Sequence, residues 1–330
     1  MSFNTRYLPP DQAQWQGRSD IPPGSLFFQI MRMLNLMENN LPTITQPTFA
    51  LIGFKCDEGI RRNKGRPGAF EGPIAIRQTL AKLPIQKQNF ACFDAGNIVC
   101  PDGDLESSQE ALGDVIALLL AHGITPIALG GGHEIAWGHY QGIAKISRKK
   151  KLGIVNFDAH FDMRPLLPDG KGSSGTPFLQ IAEAHKKAKL RFDYNCIGIQ
   201  HAGNMRALVE TAKNYNTHII WADELHLGQL EKCTDFIDRI IDQNELIYLS
   251  LCLDVFAASV APGVSAPQPL GLWPWHVIPL VRQLAASGKA VSYDLAELCP
   301  HYDFDQATAK LAANLIYEII HHHSSHFHAD

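Results

Sequence analysis

The sequence lacks long apolar runs and an excess of basic charge. No uninterrupted apolar stretch reaches the roughly 18 residues that a membrane-spanning helix needs, and residues 1–10 hold no apolar signal core. Lysine and arginine number 29 against 33 aspartates and glutamates, a formal net charge of −4, and there is no basic stripe with interleaved aromatic residues. We therefore expect neither nucleic acid nor a membrane as a partner, and a small molecule as the substrate.

The 7 cysteines do not have the pattern of a disulfide framework. Their number is odd, their spacing is irregular, and several of them, such as Cys196 and Cys252, lie in apolar runs. A small secreted protein built on disulfides usually has an even number of cysteines at short spacings. The cysteine usage therefore favours a reducing compartment, and we expect a cytoplasmic protein.

Neither an internal repeat nor a linker divides the 330 residues, which are enough for one large α/β core. We predict a single domain over residues 1–330, with an N-terminal arm at 1–47 that carries one helix, 26–39, packed against the core. A histidine-rich tail occupies residues 321–330. It could chelate a transition metal, but a frayed helix end is the interpretation we favour.

Short β-rich apolar runs alternate with longer amphipathic runs from residue 49 onward. This alternation predicts an α/β fold, a three-layer αβα sandwich in which a parallel sheet is covered by helices on both faces. Strands are predicted at 48–54, 90–93, 124–129, 152–157, 194–199, 217–221, 246–253 and 290–295. Further helices are predicted at 73–83, 105–122, 135–147, 177–188, 205–214, 230–242, 274–286 and 305–321.

Two carboxylates and an imidazole follow the predicted strand 152–157. Asp158, His160 and Asp162 alternate with Ala159 and Phe161, so the polar side chains can face one cavity while the apolar ones anchor the segment. Burying three such groups without a cation would be costly, because unpaired carboxylates in a low-dielectric site repel each other or become protonated. Taken alone, the motif could also be an ordinary hydrogen-bonded turn.

Two further polar motifs follow strand-like runs. His133 comes after three glycines that close the run 124–129, and Cys252 and Asp254 close the run 246–253. Open α/β sheets bind ligands beyond the carboxyl ends of their strands, so the three motifs are expected to converge there. Aspartate and histidine together suit Mn²⁺, and we predict a metal site.

The ordered set of motifs resembles the ureohydrolase family, which comprises the arginases, agmatinases and formimidoylglutamases. The resemblance runs from about Gly53 to the final helix. It rests on Gly65-Arg66-Pro67-Gly68-Ala69, Gly72-Pro73, Ile76-Arg77, Gly130-Gly131-Gly132-His133, the motif from Asp158 to Asp162, Ser250-x-Cys252-x-Asp254 and the run from Asp294 to Pro300. The resemblance implies an arginase-like, eight-stranded, mainly parallel sheet with two Mn²⁺ ions at the carboxyl edge of its central strands.

The resemblance also implies the ligands of the two ions and the chemistry. One ion would be held by His133, Asp158, Asp162 and Cys252, and the other by Asp158, His160, Cys252 and Asp254. A hydroxide bridging the ions would attack the planar carbon of an amidine. Asp162 would accept a hydrogen bond from it, so that Asp162, His160 and Glu297 are the expected catalytic residues. Glu297 would pair with the C–NH₂ edge of the substrate, although it could instead be a solvated loop charge.

Two positions depart from the pattern of the family. Cys252 stands where an aspartate is usual, and a softer thiolate would move the preference from Mn²⁺ toward Fe²⁺ or Zn²⁺, or weaken binding. An inert thiol beside a single-metal site is the alternative. Arginases and agmatinases also carry a histidine in the loop after the aspartates, whereas this chain has Ser173-Ser174-Gly175-Thr176-Pro177-Phe178. That run is similar to the formimidoylglutamase branch.

Arg164 suggests the substrate, because it stands where arginases carry a neutral amide. Its guanidinium would clamp a carboxylate bidentately, unless it is only a surface charge, and Asn204 is a candidate for a second carboxylate contact. The resemblance thus implies hydrolysis of N-formimidoyl-L-glutamate to L-glutamate and formamide, a step of histidine breakdown, by a homo-oligomer. The alternatives are a ureohydrolase for a guanidino acid such as guanidinobutyrate, related to agmatinase, and a catalytically silent binding protein.

Overall fold

The apolar runs of the sequence form the strands of one sheet in the computed structural model, which describes residues 3–323 apart from 39, 88 and 148–149. Among these residues, ten strands, β1 to β10, lie in the order β1-β4-β3-β5-β10-β9-β6-β7-β8, and β2 also pairs with β4. The strands are Tyr7–Leu8, Arg32–Met33, Thr48–Lys55, Ala91–Val99, Thr125–Leu129, Leu152–Phe157, Asp193–Ile199, His218–Trp221, Leu246–Cys252 and Ala290–Ala296. All pairings are parallel except that of β1 with β4.

Eleven α-helices accompany the sheet within the described ranges. In chain order, α1 to α11 are Phe27–Ile30, Glu58–Arg62, Gly72–Leu80, Leu105–Ala121, Ile135–Ser147, Pro177–Ala188, Arg206–Asn214, Ala222–His226, Leu230–Gln243, Pro274–Ala286 and Ala307–His322. Proline lies in the first turn of α3, α6 and α10. A backbone N–H at that position would have no acceptor within the helix, so its absence from proline costs no hydrogen bond. Asp104 caps α4 by accepting a hydrogen bond from the N–H of Ser107 at 3.1 Å.

The helices cover both faces of the sheet, as the strand–helix alternation predicts. One buried cluster packs side chains of α3, α9, α10 and α11 against the strands, and a second cluster does the same with α4, α5, α6 and α7. The predicted three-layer αβα architecture is confirmed. None of the helices in the described ranges is long and apolar enough to cross a membrane.

The N-terminal arm differs from its prediction. All eight predicted strands form, but the arm adds β1 and β2 at the edge of β4, so the sheet has ten strands. The predicted helix 26–39 is wrong: only α1 is helical, and β2 and a 3₁₀ turn, Leu36–Glu38, follow it. The reason is the exposed edge of β4, whose unpaired backbone groups the arm satisfies, for example through the N–H of Leu34 and the carbonyl of Asp94 at 2.8 Å.

β4 is longer than predicted because it carries polar residues that are buried in a charged network. The guanidinium of Arg77, which is fully buried, contacts Asp94 at 2.9 Å and Asn97 at 2.8 Å. The indole N–H of Trp15 donates to the same Asp94 carboxylate at 2.8 Å. Paired in this way, a buried carboxylate and guanidinium are tolerated inside the core, although the polar residues obscure the strand pattern in the sequence.

The described part of the histidine-rich tail is packed and does not fray. His321 is buried and stacks on Tyr317 with ring centroids 3.9 Å apart. The Tyr293 hydroxyl lies 2.7 Å from Nδ1 of His323. The interpretation of a frayed end is therefore wrong for His321–323, whereas residues 324–330 lie outside the described part of the chain.

The order of the central strands brings the predicted motifs together. β5, β10, β9 and β6 are consecutive neighbours in the sheet, and all four run parallel. The segments that leave their carboxyl ends carry His133, Glu297, Cys252 with Asp254, and the loop from Asp158 to Asp162. In a parallel sheet these ends share one edge, so the candidate site lies there.

Candidate metal centre

Asp158 lies at the centre of the cluster, directly after β6. Its Oδ2 atom lies 2.9 Å from Nδ1 of His133, and its Oδ1 atom lies 3.5 Å from Nδ1 of His160. The backbone N–H of His160 donates to Oδ1 at 2.8 Å, and the side chain of Asn156 donates to Oδ2 at 3.1 Å. Both oxygens of this fully buried carboxylate are thus oriented, one toward each imidazole.

Two groups of side chains could each hold a cation. The first consists of His133, Asp158 and Cys252, and the second of Asp158, His160 and Asp254. Within each group the ligand atoms lie within 4.8 Å of one another. Asp158 belongs to both groups, which is the arrangement of a carboxylate that bridges two ions.

Nδ1 of His133 is the atom that most clearly fits a metal. It lies 2.9 Å from a carboxylate oxygen of Asp158 and 2.9 Å from one of Asp162, yet it is buried and neither contact has hydrogen-bond geometry. Ligand atoms at right angles around an ion, each about 2.1 Å away, are about 3 Å apart. The spacing is therefore that of ligands around a shared cation.

The other nitrogen of His133 is held by a buried relay. The Ser250 hydroxyl donates to Asp294 at 2.6 Å, so it accepts a hydrogen bond from Nε2 of His133 at 2.9 Å. Asp294 is in turn held by His139 at 2.8 Å and by the hydroxyl of Tyr248. With Nε2 donating, Nδ1 is the nitrogen that can present a lone pair to a cation.

His160 and Asp254 form the other side of the cluster. Nδ1 of His160 lies 3.1 Å from Oδ2 of Asp254, and the side-chain amide of Gln268 lies 3.4 Å from Nε2 of the same ring. His160 is partly exposed to the pocket, whereas Asp254 is buried. The imidazole therefore stands between the buried acids and the entry of a ligand.

The electrostatics show a buried excess of negative charge. Burial, with repulsion from Asp158, raises the pKa of Asp162 to about 6. Burial, together with Asp254, raises the pKa of Glu297 to about 7. Burial would lower the pKa of His133, but its contacts with Asp158 and Asp162 raise it well above the ordinary value. The site therefore retains protons strongly, and a multivalent cation would relieve the same repulsion.

Cys252 lies within this cluster and is 1% exposed. Burial, and after it the charges of Asp158 and Asp254, raise the pKa of its thiol well above the usual value. A cation beside it would be needed to hold it as a thiolate. The residues present thus fit a pair of cations, with the thiol among the ligands of the first group and Asp158 shared by both groups.

Glu297 is held in a strained conformation beside His133. Its φ of 76° is unusual for a residue with a side chain, and its N–H donates to the carbonyl of Gly131 at 2.8 Å. Its carboxylate accepts hydrogen bonds from the N–H of His133 at 2.9 Å and from the Ser265 hydroxyl. Glu297 is therefore a fixed, buried acid, and its alternative role as a solvated loop charge does not agree with this placement.

One pocket joins the acids to Arg164. Its walls include His160, Asp162, Cys252, Asp254 and Glu297, and also Asn63, Arg164, Ser174 and Ser265. The Arg164 guanidinium has no hydrogen bond or ion pair with any residue in the described ranges. Its stem lies against Gly175, where an added Cβ would come within 2.7 Å of Cδ. An exposed but positioned cation thus faces the acid cluster.

Asn204 has a different role from the predicted substrate contact. Its amide donates to the carbonyl of Ala159 at 2.9 Å and to that of Gln200 at 2.8 Å, and its oxygen accepts from the N–H of Phe161 at 3.2 Å. Both amide hydrogens are thus in use, which leaves none for a carboxylate of a substrate. The structure places Asn204 as a support of the loop that carries Asp158 and His160.

Several side chains around the pocket could not be found from the sequence. Arg66 belongs to a recognised motif, but its partners, the carbonyls of Val264 at 2.5 Å and Ser265 at 3.1 Å, are distant in sequence. Arg66 also stacks over Tyr302, 4.1 Å from the ring centroid. It holds the loop whose Ser265 hydroxyl donates to Glu297, and no local pattern signals that arrangement.

Comparisons with known proteins agree with the geometry. The model of the arginase family matches residues 47–322. The formimidoylglutamase of Legionella pneumophila (strain Lens) is 44% identical over 316 residues, which is 96% of this chain and 98% of the relative. That of Geobacillus sp. (strain WCH70) is 41% identical over 325 residues, 98% of this chain and 97% of the relative.

Two solved structures of named formimidoylglutamases are similar to this chain in fold. The Trypanosoma cruzi formiminoglutamase with Mn²⁺ has a TM-score of 0.76 at 25% identity, over 84% of this chain and 95% of that chain. The formimidoylglutamase of Bacillus subtilis has a TM-score of 0.74 at 25% identity, over 84% of this chain and 88% of that chain. Each resembles this chain over most of its length.

Proposed function

The chain belongs to the arginase family, and we propose that it hydrolyses N-formimidoyl-L-glutamate to L-glutamate and formamide, in histidine degradation. The two relatives described above are both named formimidoylglutamase. Within this chain, the observation that carries the substrate assignment is the unpartnered guanidinium of Arg164 in the pocket of the acid cluster. An anionic dicarboxylate gives that cation a partner, whereas a cationic guanidinium substrate does not.

The cofactor we propose is a pair of Mn²⁺ ions per subunit, held by His133, Asp158, His160, Asp162, Cys252 and Asp254. Two ions, when bound, supply Lewis acidity and lower the pKa of a water that they share. The support in this structure is the unpartnered Nδ1 of His133, the shared carboxylate of Asp158 and the excess of buried acids.

The roles of the protein side chains follow from their positions. Arg164 would hold a carboxylate of the substrate through two N–H groups. Glu297, fixed by His133 and Ser265, would accept hydrogen bonds from the formimino nitrogen and so orient the reacting carbon. Asp162, whose carboxylate lies 2.9 Å from Nδ1 of His133 and lines the pocket, would accept a proton from the attacking water and pass it toward the leaving amine. Both acids line the pocket that Arg164 reaches.

Product analysis tests the proposal against its rivals. The purified chain, loaded with Mn²⁺, is given N-formimidoyl-L-glutamate or guanidinobutyrate, and formamide, urea and glutamate are measured by NMR. We expect formamide and glutamate from the first compound and no urea from the second. Urea without formamide would establish the guanidino-acid ureohydrolase instead, and no turnover of either compound would favour the silent binding protein.

Cys252 provides a second test of the silent alternative. Cys252→Asp restores the usual family residue, so turnover should persist or rise if the thiol only modulates the metal pair. If the wild type shows no turnover and the Cys252→Asp variant is active, Cys252 is the cause of the lost function.

We also propose that the protein is a homo-oligomer and that it lies in the cytoplasm. Sedimentation would test the first statement and cell fractionation the second.

A further inference from the structure

Two cysteines outside the metal centre lie side by side at the ends of β3 and β4. These strands are parallel neighbours, with Phe54 opposite Ile98 and Lys55 opposite Val99, so Cys56 and Cys100 each directly follow the last register pair. Neighbouring strands are about 4.8 Å apart, within the Cα separation of about 4.4–6.8 Å that a disulfide spans. Both side chains line one surface pocket, and each thiol shifts the pKa of the other.

The surroundings divide the two thiols into a nucleophile and a proton donor. The hydrogen bond from Cys56, opposed by burial and helped by Ser108 and Arg6, lowers the pKa of the Cys100 thiol to about 7. The hydrogen bond to Cys100 and burial raise the pKa of the Cys56 thiol. A thiol with a lowered pKa and access to solvent is the reactive kind.

Cys100 is also accessible in a way that the other cysteines are not. All seven cysteines lie in the described part of the chain; six are buried and Cys100 is partly exposed. It lines a surface pocket together with Cys56, Lys55 and Arg61. The same walls carry Asp57 and Glu58, and Arg61 is paired with Asp57 at 3.2 Å, so the pocket has no net charge that would repel a small disulfide.

We propose that Cys56 and Cys100 form a reversible disulfide by exchange with a low-molecular-weight disulfide of the glutathione class. The Cys100 thiolate attacks one sulfur of the small disulfide, which releases one small thiolate and leaves a mixed disulfide on Cys100. Cys56 gives its proton to the released thiolate and attacks the Cys100 sulfur, which releases the second small thiol. Two protein thiols are oxidised and one small disulfide is reduced, so the electrons balance.

The segment that carries Cys56 is hydrogen-bonded to the loop that carries His133. The carbonyl of Cys56 accepts a hydrogen bond from the N–H of Gly132 at 3.1 Å, and that of Phe54 accepts one from Gly131 at 2.9 Å. A Cβ on Gly131 would lie 1.8 Å from the Cys56 carbonyl oxygen, so the two segments are in close contact. A disulfide that shifts Cys56 therefore displaces the His133 loop and weakens metal retention, a consequence that rests on the proposed metal site.

The chemistry of the pair can be tested without any activity assay. The full-length protein is incubated with glutathione disulfide and analysed by intact mass and non-reducing peptide mapping. We expect loss of two hydrogens, no retained glutathione, a cross-linked peptide joining residues 56 and 100, and reversal by dithiothreitol. Cys56→Ser, or Cys56→Ala if the serine variant does not fold, should keep glutathione on Cys100.

A matched control and a separate metal readout complete the test. Cys92→Ser, in a buried position on β4, should behave like the wild type, and Cys100→Ser should not react.

Mn²⁺ affinity, measured by EPR, should fall on oxidation by about tenfold or more, the effect expected when the support of a metal ligand is altered. No reaction, or an unresolved mixed disulfide on the wild type, would overturn the pairing. A disulfide with unchanged Mn²⁺ affinity would overturn the link to His133, whereas a disulfide in a protein without formimino turnover would refute only the proposed function.

Discussion

Replacement of Arg164 by methionine tests the substrate assignment most directly. The guanidinium has no partner among the residues that the structure describes and lines the pocket of the acid cluster, so its removal leaves the fold and the metal ligands in place. Methionine keeps an unbranched stem against Gly175, where the arginine side chain makes close contact. The change therefore removes only the positive charge of the guanidinium and its N–H donors, which are free to bind a substrate.

The size of the effect follows from the contacts that would be lost. A hydrogen bond between charged groups contributes about 1.5–3 kcal/mol, and a bidentate clamp makes two. Because Arg164 is exposed, solvent screening removes roughly half of that sum, which leaves about 1.5–3 kcal/mol. In kcat/KM this is a fall of about 13- to 160-fold. Most of it should be an increase in KM, because the carboxylate does not change during the reaction.

The assay compares N-formimidoyl-L-glutamate with formamidine, which has the same reacting carbon and no carboxylate. Arg164→Met should lower kcat/KM for the first compound and leave the second unchanged. Arg206→Met is the matched control, because Arg206 is exposed at the start of α7 and bonds Glu210 at 2.8 Å; it should change neither. Equal losses with both compounds, or a loss below about threefold with the first, would refute the clamp.

Three further outcomes are expected. Ser250→Ala removes the acceptor for Nε2 of His133 and should weaken Mn²⁺ binding by about 10- to 100-fold in an EPR titration; unchanged affinity would contradict the relay. Metal-free protein should lose stability as the pH rises from about 4.5 to about 7. The reason is that Glu297, with its raised pKa, binds a proton in the folded state that the unfolded state has already released. Melting temperatures should fall over this pH range, and Glu297→Gln should reduce the fall. Asp94→Asn leaves the buried Arg77 unpaired and should lower the free energy of unfolding in urea by about 3–5 kcal/mol, whereas Asp20→Asn, in an exposed pair, should leave it unchanged.

The parts of the fold that the sequence predicted well are those where one local pattern decides the outcome. The strand Leu152–Phe157 and the helices Ile135–Ser147, Pro177–Ala188 and Pro274–Ala286 form with their predicted bounds. Each has a continuous apolar run or a clear helical periodicity, and two of the helices begin with proline. The ligand motifs were predictable for the same reason, since each follows a strand in the sequence.

The parts that were missed depend on distant partners. β4 contains Asp94 and Asn97, which look like loop residues until Arg77 and Trp15 are seen to bind them. The arm was predicted to carry one helix, 26–39, but the unpaired edge of β4 decides its conformation. Asn204 lies in a recognisable run, yet its amide is used by the backbone of another loop. In each case a tertiary contact outweighs the local signal.

The loop after β6 explains how metal binding and substrate choice are coupled in one segment. Asp162 has a φ of 46°, a left-handed conformation that turns the chain sharply, and its carbonyl accepts the N–H of Phe178 at 3.1 Å. Two residues later, the N–H of Arg164 donates to the carbonyl of Gly175 at 2.8 Å. The carboxylate that approaches His133 and the guanidinium that faces the pocket are thus fixed by the same backbone contacts. Gly175→Ala would place a Cβ 2.7 Å from Cδ of Arg164 and so disturb this contact. It should therefore impair both substrate affinity and metal retention, whereas Arg164→Met should impair only the first.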